Sequence, residues 1–433
     1  MSRPIYEENL GYSLLRPIIN YFTRQSYRKV EVKGEENLPK DGAIIIAPNH
    51  CNTLMDALVV LRSSDRTTVF GARADMFNNP LIAKIMHFIR ILPMVRQRDG
   101  LRNVLKNHET TEIIVETLEH NARFCMYPEG RHRAAHSLLT LGKGVFRTAL
   151  AANNKFGDKI PVYIVPAGIE YGDYFRYRGT SLLTYGRPIN VTEFIKGLDA
   201  ETEAQMMEPL RKELTLRMSE LITYIKDDEN MGAKWELTKL LARVKKAPSC
   251  SLTDRMQRNR SIIASIEQFC ESDPESAAAL LDKTRGFEKK RRRSGVSVYS
   301  LGKKNPLLSI LAKTAGALAG LPYFIFSATA SLPLWGTFTL LKKVIKDKAF
   351  RNTAAFGVNL ALGPLVFIIL SIIAFCSLSW PFALALSLLV IPSYAYFYDY
   401  VEYMRRYISD VRYSGNRELK KEFDEILKLA KDI

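Results

Sequence analysis

Hydrophobic positions along this chain follow two regimes. In the first, short apolar runs alternate with longer stretches of helical period. Ala43-Ile44-Ile45-Ile46-Ala47 is a continuous apolar run of the kind carried by a strand buried on both faces, and Thr67-Thr68-Val69-Phe70 is a second. Arg90 to Val95, Arg123 to Met126 and Ile160 to Ala167 predict three more strands, with helices between them such as Leu101 to Asn121 and Val145 to Asn153. Leu182 to Tyr185, ahead of Gly186-Arg187-Pro188-Ile189, predicts an edge strand closing the domain. This alternation predicts an α/β fold over residues 30–198, a mixed sheet flanked by helices. Residues 1–29 precede it. There, Leu14, Leu15, Ile18, Ile19, Tyr21 and Phe22 are interleaved with Arg16, Arg24 and Arg28. That pattern fits an interfacial amphipathic helix and an ordinary docking helix equally, and Pro17 weakens both. Residues 199–287 read as helical throughout, broken at Ala247-Pro248-Ser249.

The second regime is membrane-like. No charged residue occurs from Thr314 to Leu341, nor from Asn352 to Tyr398, runs of 28 and 47 residues, whereas one bilayer span needs roughly 20. Lys342, Lys343, Lys346, Lys348 and Arg351 separate the runs, and Arg405-Arg406 follow the second. The positive-inside tendency puts both clusters on the cytosolic side, so residues 352–400 form a two-helix transmembrane hairpin turning near Ser377 to Pro381. The 314–341 segment is basic at both ends and contains Gly320-Leu321-Pro322 and Pro333, which predicts a re-entrant or interfacial element. Residues 401–433 become a cytosolic tail and 288–313 a basic linker.

Charge sharpens this picture. With 62 Lys+Arg against 45 Asp+Glu, a formal +17, the chain should seek an anionic partner. The apolar runs make that partner a phospholipid membrane and not nucleic acid. The Glu288-Lys289-Lys290-Arg291-Arg292-Arg293 run, which elsewhere would suit a nuclear-localisation signal, is expected at the membrane surface. The first residues carry Glu7 and Glu8 where a signal peptide would have its apolar core, so the front domain is expected on the cytosolic face. Five scattered cysteines give neither a disulfide framework nor a zinc site.

Chemistry concentrates in four blocks. In Pro48-Asn49-His50-Cys51-Asn52-Thr53-Leu54-Met55-Asp56 a histidine follows a strand, and a short turn leads to a carboxylate. His50 can take a proton from an attacking hydroxyl while Asp56 fixes its tautomer. On one straight helix, side chains six positions apart would be about 240° apart. The pair therefore needs His50 in the turn and Asp56 in the first turn of the next helix, capped by Asn52 or Thr53. A loop histidine beside an unrelated aspartate is the plain alternative. The second block, Phe124-Cys125-Met126-Tyr127-Pro128-Glu129-Gly130-Arg131-His132-Arg133, runs from a strand into a turn and a basic triplet suited to a phosphate monoester, with Lys143 and Arg147 following; a basic surface loop is the plain alternative. The third is Ile91 to Gly100, an apolar strand ending in Arg96 and Arg98. The fourth is Ile160 to Gly168, a strand carrying Pro161 and Pro166, which suits a site wall or an edge.

In this order the four blocks resemble the glycerolipid acyltransferase family, which includes lysophosphatidate and glycerol-3-phosphate acyltransferases. The resemblance covers residues 30 to 195. Five residues lie between His50 and Asp56 where the family commonly has four, a spacing similar to the branch of fungal glycerol-3-phosphate/dihydroxyacetone-phosphate acyltransferases. The resemblance implies His50 as base, Asp56 as its partner, Arg96 on the acceptor phosphate, Glu129 and Gly130 in the third motif, and Asn49 and Pro166 in the site wall. After Gly130 the family commonly has Thr-Arg-Ser. Here Arg131-His132-Arg133 stands instead, and the choice of phosphate ligand between Arg131 and Arg133 stays open, with Lys143 a further candidate; Arg176 and Arg178 are candidates too, although a solvated loop suits those two slightly better.

The implied reaction moves a fatty acyl group from an acyl thioester to the hydroxyl of glycerol-3-phosphate or dihydroxyacetone phosphate, in phospholipid biosynthesis. The donor is acyl-CoA or acyl carrier protein, used as a co-substrate, and neither cofactor nor metal is required. Acylation of lysophosphatidate or another lysolipid is the alternative acceptor choice. A Cys51-dependent acyl-enzyme is the rival chemistry, and a basic membrane-anchored scaffold is the non-enzymatic reading.

Overall fold

A computed structural model describes residues 3–94, 104–245, 251–303, 305–431 and 433. The chain divides into two compact units, residues 1–222 with 347–353, and 223–346 with 354–433.

The first unit runs α1 (Leu10–Ser26), β1 (Tyr27–Lys33), β2 (Ala43–Pro48), α2 (Leu54–Ser63), β3 (Thr68–Arg73), α3 (Pro80–Phe88), β4 (Ile91–Met94), α4 (Val104–Glu119), β5 (Arg123–Cys125), α5 (Gly144–Phe156), β6 (Val162–Tyr171), β7 (Gly179–Tyr185), β8 (Ile189–Asn190), α6 (Val191–Lys196) and α7 (Glu203–Glu220). Among the described residues the sheet has eight strands in the order β1-β7-β6-β2-β5-β3-β4, with β8 beside β6. From β6 through β2, β5 and β3 to β4 the pairing is parallel. β6 is antiparallel to β7 and β8, which makes the sheet mixed.

β2 is buried at every position because helices cover both faces of the sheet. Ile45 and Ala47 enter a core with Phe124 of β5, Val145, Phe146 and Ala149 of α5, and Leu210 and Leu214 of α7. Ile44 and Ile46 alternate to the opposite face. α7 thus belongs to this unit, so the helical region expected over 199–287 is divided between the two.

Two strand expectations change. Leu182 to Tyr185 is not at the edge, because β1 pairs with β7 outside it. β1, Tyr-Arg-Lys-Val-Glu-Val-Lys, escaped notice because a charged edge strand lacks an apolar run. Pro166 is tolerated inside β6 because β8 pairs only up to Ile164 and β7 only from Ala167, leaving a gap where no ladder N–H is needed. α1 shows both characters that its pattern allowed. Tyr12 and Phe22 are buried, while Leu10, Leu14 and Ile18, one per turn, are exposed.

The second unit contains α8 (Met231–Val244), α9 (Leu252–Ser272), α10 (Pro274–Arg293), α11 (Pro306–Val344), α12 (Phe350–Ser377, whose first turn lies with the first unit), α13 (Trp380–Gly415) and α14 (Arg417–Leu429). α11, α12 and α13 are long and apolar enough to cross a membrane. Of the re-entrant or interfacial element expected for 314–341, the re-entrant form is not adopted: α11 continues unbroken through Pro322 and Pro333. Its partner is α13, whose Tyr396, Tyr400 and Tyr403 hydroxyls donate to the carbonyls of Gly320, Ala317 and Lys313 at 2.9, 2.8 and 2.9 Å. The tyrosines fit because Gly316 and Gly320 present no side chain. A Cβ there would lie 2.3 Å from the Tyr403 hydroxyl and 2.6 Å from that of Tyr396.

The expected basic linker and tail are also largely structured. Lys290 and Arg291 close α10, with Arg291 buried against Glu236 at 2.8 Å and Lys290 paired to Glu418 at 3.2 Å. Counter-charges within the unit, not a free loop, account for these two side chains. Beyond α13, Leu419, Phe423 and Ile426 of α14 fill a core with Leu237, Leu280 and Phe287, so the expected tail completes the helical unit. The break expected at 247–249 lies outside the described residues.

Candidate active site

His50 stands just beyond the end of β2, and Asp56 lies in the first turn of α2. The strand–turn–helix junction brings them together, with Nδ1 of His50 2.7 Å from Oδ2 of Asp56. The same oxygen accepts from the backbone amides of Cys51 and Asn52 at 2.8 and 2.7 Å, and Oδ1 accepts from the Tyr171 hydroxyl at 2.6 Å. Four donors therefore converge on one carboxylate. A carboxylate can only accept, so Nδ1 carries the imidazole proton and Nε2 is the basic nitrogen. The His50 side chain is 18% exposed and that of Asp56 0%, so the base reaches solvent while its partner does not. Tyr171 serves as a donor because burial, reinforced by the Asp56 charge, pushes its phenol well up.

The turn between them is held in an unusual way. Thr53 occupies the N-cap position with φ 47° and ψ −126°, and its side chain makes no capping bond. Such a conformation in a branched residue costs about 1–3 kcal/mol and needs a surrounding that imposes it. The Thr53 hydroxyl is 2.8 Å from the Thr353 hydroxyl and donates to the Ala349 carbonyl at 3.3 Å. Asp56, not Asn52 or Thr53, takes up the free amides of the turn. The side-chain amide of Asn52 is completely buried and has no hydrogen-bond partner among the described residues.

Pairing of β5 with β2, Ile46 opposite Cys125, sets the Pro128-Glu129-Gly130 turn beside His50. Oε1 of Glu129 accepts from the His50 amide and Oε2 from the Leu139 amide, both at 2.9 Å. Burial pushes its carboxyl up, against the pull of those two amides. Arg133 N donates to the His50 carbonyl at 2.8 Å, so one loop grips His50 by both its N–H and its C=O. Gly130 adopts φ 64°, the left-handed conformation that the turn into this loop requires. Tyr127 stacks on the His50 ring, centroids 4.2 Å apart, and His132 stands edge-on at 5.7 Å.

The remaining expected residues divide into two groups. Asn49 is buried, its amide nitrogen 3.1 Å from the Ile169 carbonyl and its oxygen accepting from the Ile169 amide at 2.6 Å, which ties the turn to β6. Pro166, on the same strand, is opposite Ala47. Arg131 and Lys143 are exposed on the loop and at the start of α5, and the half-buried Arg133 guanidinium bonds the Ser137 hydroxyl. Glu129 was expected on the acceptor side, yet both its oxygens are committed to backbone amides. Arg176 pairs with Asp173 at 3.1 Å, and Arg178 donates to the carbonyls of Gln25 and Tyr27, so both are engaged locally. Arg96 and Arg98 lie outside the described residues. Cys51 is buried, its sulfur 3.2 Å from the Asn49 amide nitrogen. Burial pushes the thiol well up, and the Asp56 and Glu129 carboxylates add to this.

Sequence reasoning missed Tyr171, Tyr127 and the 347–353 segment. Tyr127 lies inside the second block, where it was given no role. Tyr171 could be linked to Asp56 only through the β2–β6 register, and nothing near His50 in sequence points to Asp347.

No curated protein matches the chain. Among solved structures, the 1-acyl-sn-glycerophosphate (LPA) acyltransferase PlsC from Thermotoga maritima is similar at 21% identity, over 48% of this chain and 80% of that one, with a TM-score of 0.35. Residues 29–170, the stretch that supplies His50, Asp56 and Glu129, match the family model described as Acyltransferase.

Proposed function

We propose that this chain is a membrane-bound O-acyltransferase that transfers a fatty acyl group from an acyl thioester to the hydroxyl of glycerol-3-phosphate or dihydroxyacetone phosphate. The observation that carries the reading is the geometry of the His50–Asp56 pair: a buried carboxylate that accepts from three neighbouring donors faces Nδ1 and leaves Nε2 to accept. Nε2 takes the acceptor hydroxyl proton as that oxygen attacks the thioester carbonyl. The C–O bond forms, the C–S bond breaks, and the proton passes from His50 to the departing thiolate. Asp56 stabilises the imidazolium in between. Arg131, Arg133 and Lys143 supply positive charge for the acceptor phosphate. The buried, protonated Cys51 thiol supports direct transfer over a cysteine acyl-enzyme.

The three apolar helices and the lysines at 342–348 support a membrane location with the catalytic unit on the cytosolic face. The test offers labelled palmitoyl-CoA to protein purified in detergent, with glycerol-3-phosphate and lysophosphatidate as separate acceptors, for wild type and His50→Ala. Transfer to glycerol-3-phosphate that vanishes in the variant is expected. Transfer to lysophosphatidate alone would move the reading to lysolipid acylation. No transfer to either, from acyl-CoA or acyl carrier protein, would remove the enzymatic reading.

A further inference from the structure

Residues 347–353, which end the connector from α11 and form the first turn of α12, group with the catalytic unit. Three of their side chains and one carbonyl reach the loop and turn around His50. Asp347 Oδ2 is 2.8 Å from Nε2 of His132, 215 positions earlier in the chain. Phe350 stands edge-on to the same imidazole at 5.7 Å. Thr353 and the Ala349 carbonyl hold the hydroxyl of the strained Thr53. Asn352, almost fully buried, donates to the Tyr174 carbonyl at 3.0 Å. The segment is braced internally, since Oδ1 of Asp347 accepts from the Ala349 amide at 2.9 Å.

We infer that Asp347 is a positioning residue of the active site: through His132 it sets the Arg131–Arg133 loop against His50, while Thr353 and Ala349 pin the turn that carries His50 to Asp56. Two observations bear this out independently. The loop is latched to the His50 carbonyl at Arg133, and His132 is its only member that the segment holds by a charged group among the described residues. Thr53 keeps a positive φ at a branched residue, and its side-chain hydrogen bonds run to residues 349 and 353. The inference rests on the acyl-transfer reading. It adds that the acceptor-binding loop is set by the connector between two apolar helices, so the signature of losing Asp347 falls on the acceptor and not on the donor.

The experiment combines kinetics with a contact readout that does not depend on activity. Asp347→Ala, His132→Asn and the double variant are compared with wild type for both substrates, and melting temperatures identify any variant that fails to fold. Asp347→Ala should raise the acceptor KM about five- to tenfold with kcat within about threefold and the donor KM unchanged. The double variant should be no worse than the poorer single, because both remove one interaction. Asp347→Glu should recover part of the acceptor KM, which a purely structural defect would not allow. In parallel, Thr53→Cys with Thr353→Cys should form a disulfide on mild oxidation, located by mass spectrometry of the linked peptides. No cross-link would refute the docking of the segment. A cross-link with an unchanged acceptor KM in Asp347→Ala, or additive effects in the double variant, would refute the positioning role. A cross-link in a wild-type-like background that transfers acyl groups to no acceptor would overturn the enzymatic reading, and the inference with it.

Discussion

Asp56→Asn separates charge from geometry at this site. In many histidine–aspartate pairs the amide turns its NH2 toward the imidazole and traps the wrong tautomer, at a cost of about 10⁴ in rate. Here the Oδ2 position is claimed by three donors, Nδ1 of His50 and the amides of Cys51 and Asn52, whereas among the described residues Oδ1 meets the Tyr171 hydroxyl alone. An asparagine that keeps its oxygen among the three donors can place its NH2 toward Tyr171, whose hydroxyl rotates to accept. The tautomer therefore survives, and what disappears is the negative charge facing the imidazolium as it forms. Hydrogen bonds to charged groups exceed neutral ones by about 1–2 kcal/mol, which corresponds to a fall in kcat/KM of roughly 5- to 30-fold. Asp56→Ala leaves all four donors without a partner in a buried site, and should cost about 3–5 kcal/mol of stability along with essentially all activity. Initial-rate kinetics with the acyl-CoA donor, alongside thermal unfolding of each variant, make the comparison. A loss near 10⁴ in a stably folded Asp56→Asn protein would show that the tautomer did change, and that the donor arrangement around Oδ2 does not control it.

Three further outcomes follow from the structure. Cys51→Ser should keep kcat within about threefold of wild type, since a buried, protonated thiol contributes no nucleophile; steady-state rates and a search for an acyl-enzyme by intact mass check this. Burial raises the Glu129 carboxyl pKa in the folded state, so its contribution to stability is present at low pH and is lost as pH rises through the folded value. The melting temperature of wild type minus that of Glu129→Gln should therefore fall as pH rises above the ordinary carboxylate range, and a difference that grows with pH would contradict the burial argument. Gly320→Ala would drive a methyl to 2.6 Å from the Tyr396 hydroxyl and 3.0 Å from the Tyr400 ring, and should destabilise the α11–α13 pair by about 1–3 kcal/mol. Adding Tyr396→Phe should recover part of that loss in thermal unfolding in lipid nanodiscs.

Much of the catalytic unit could be read from the chain because its strands announce themselves. Ala43 to Ala47 is uniformly apolar since both its faces are covered, and a histidine immediately after such a strand has few places to lie. The turn from His50 to Asp56 was legible for the same reason: its spacing admits only a strand–turn–helix junction. Glu129 was found but not its task, because a carboxylate reads the same in sequence whether it meets an anion's neighbours or two backbone amides. Only the β2–β5 register decides. β1 and α14 were hidden by their own charges, as Arg28, Lys29 and Glu31 on an edge strand, or Glu418, Lys420 and Lys421 on a one-sided helix, look like solvated chain until their apolar partners are known. Asp347 lay beyond any local pattern, since its meaning depends on a contact across 215 positions.

The route of the chain through the first unit also sets an order of synthesis. The sheet and its covering helices are complete in sequence at Glu220, but the residues that hold Thr53 and His132 follow only after the 39-residue helix α11. At ordinary rates of about 5–20 residues per second, a ribosome needs roughly 6 to 25 seconds to travel from one to the other. During that interval the catalytic fold exists without its last brace, and by the time Thr353 emerges the first apolar helix has already been made. A nascent catalytic unit of this design acquires its finished turn only after the first segment able to enter a bilayer has left the ribosome.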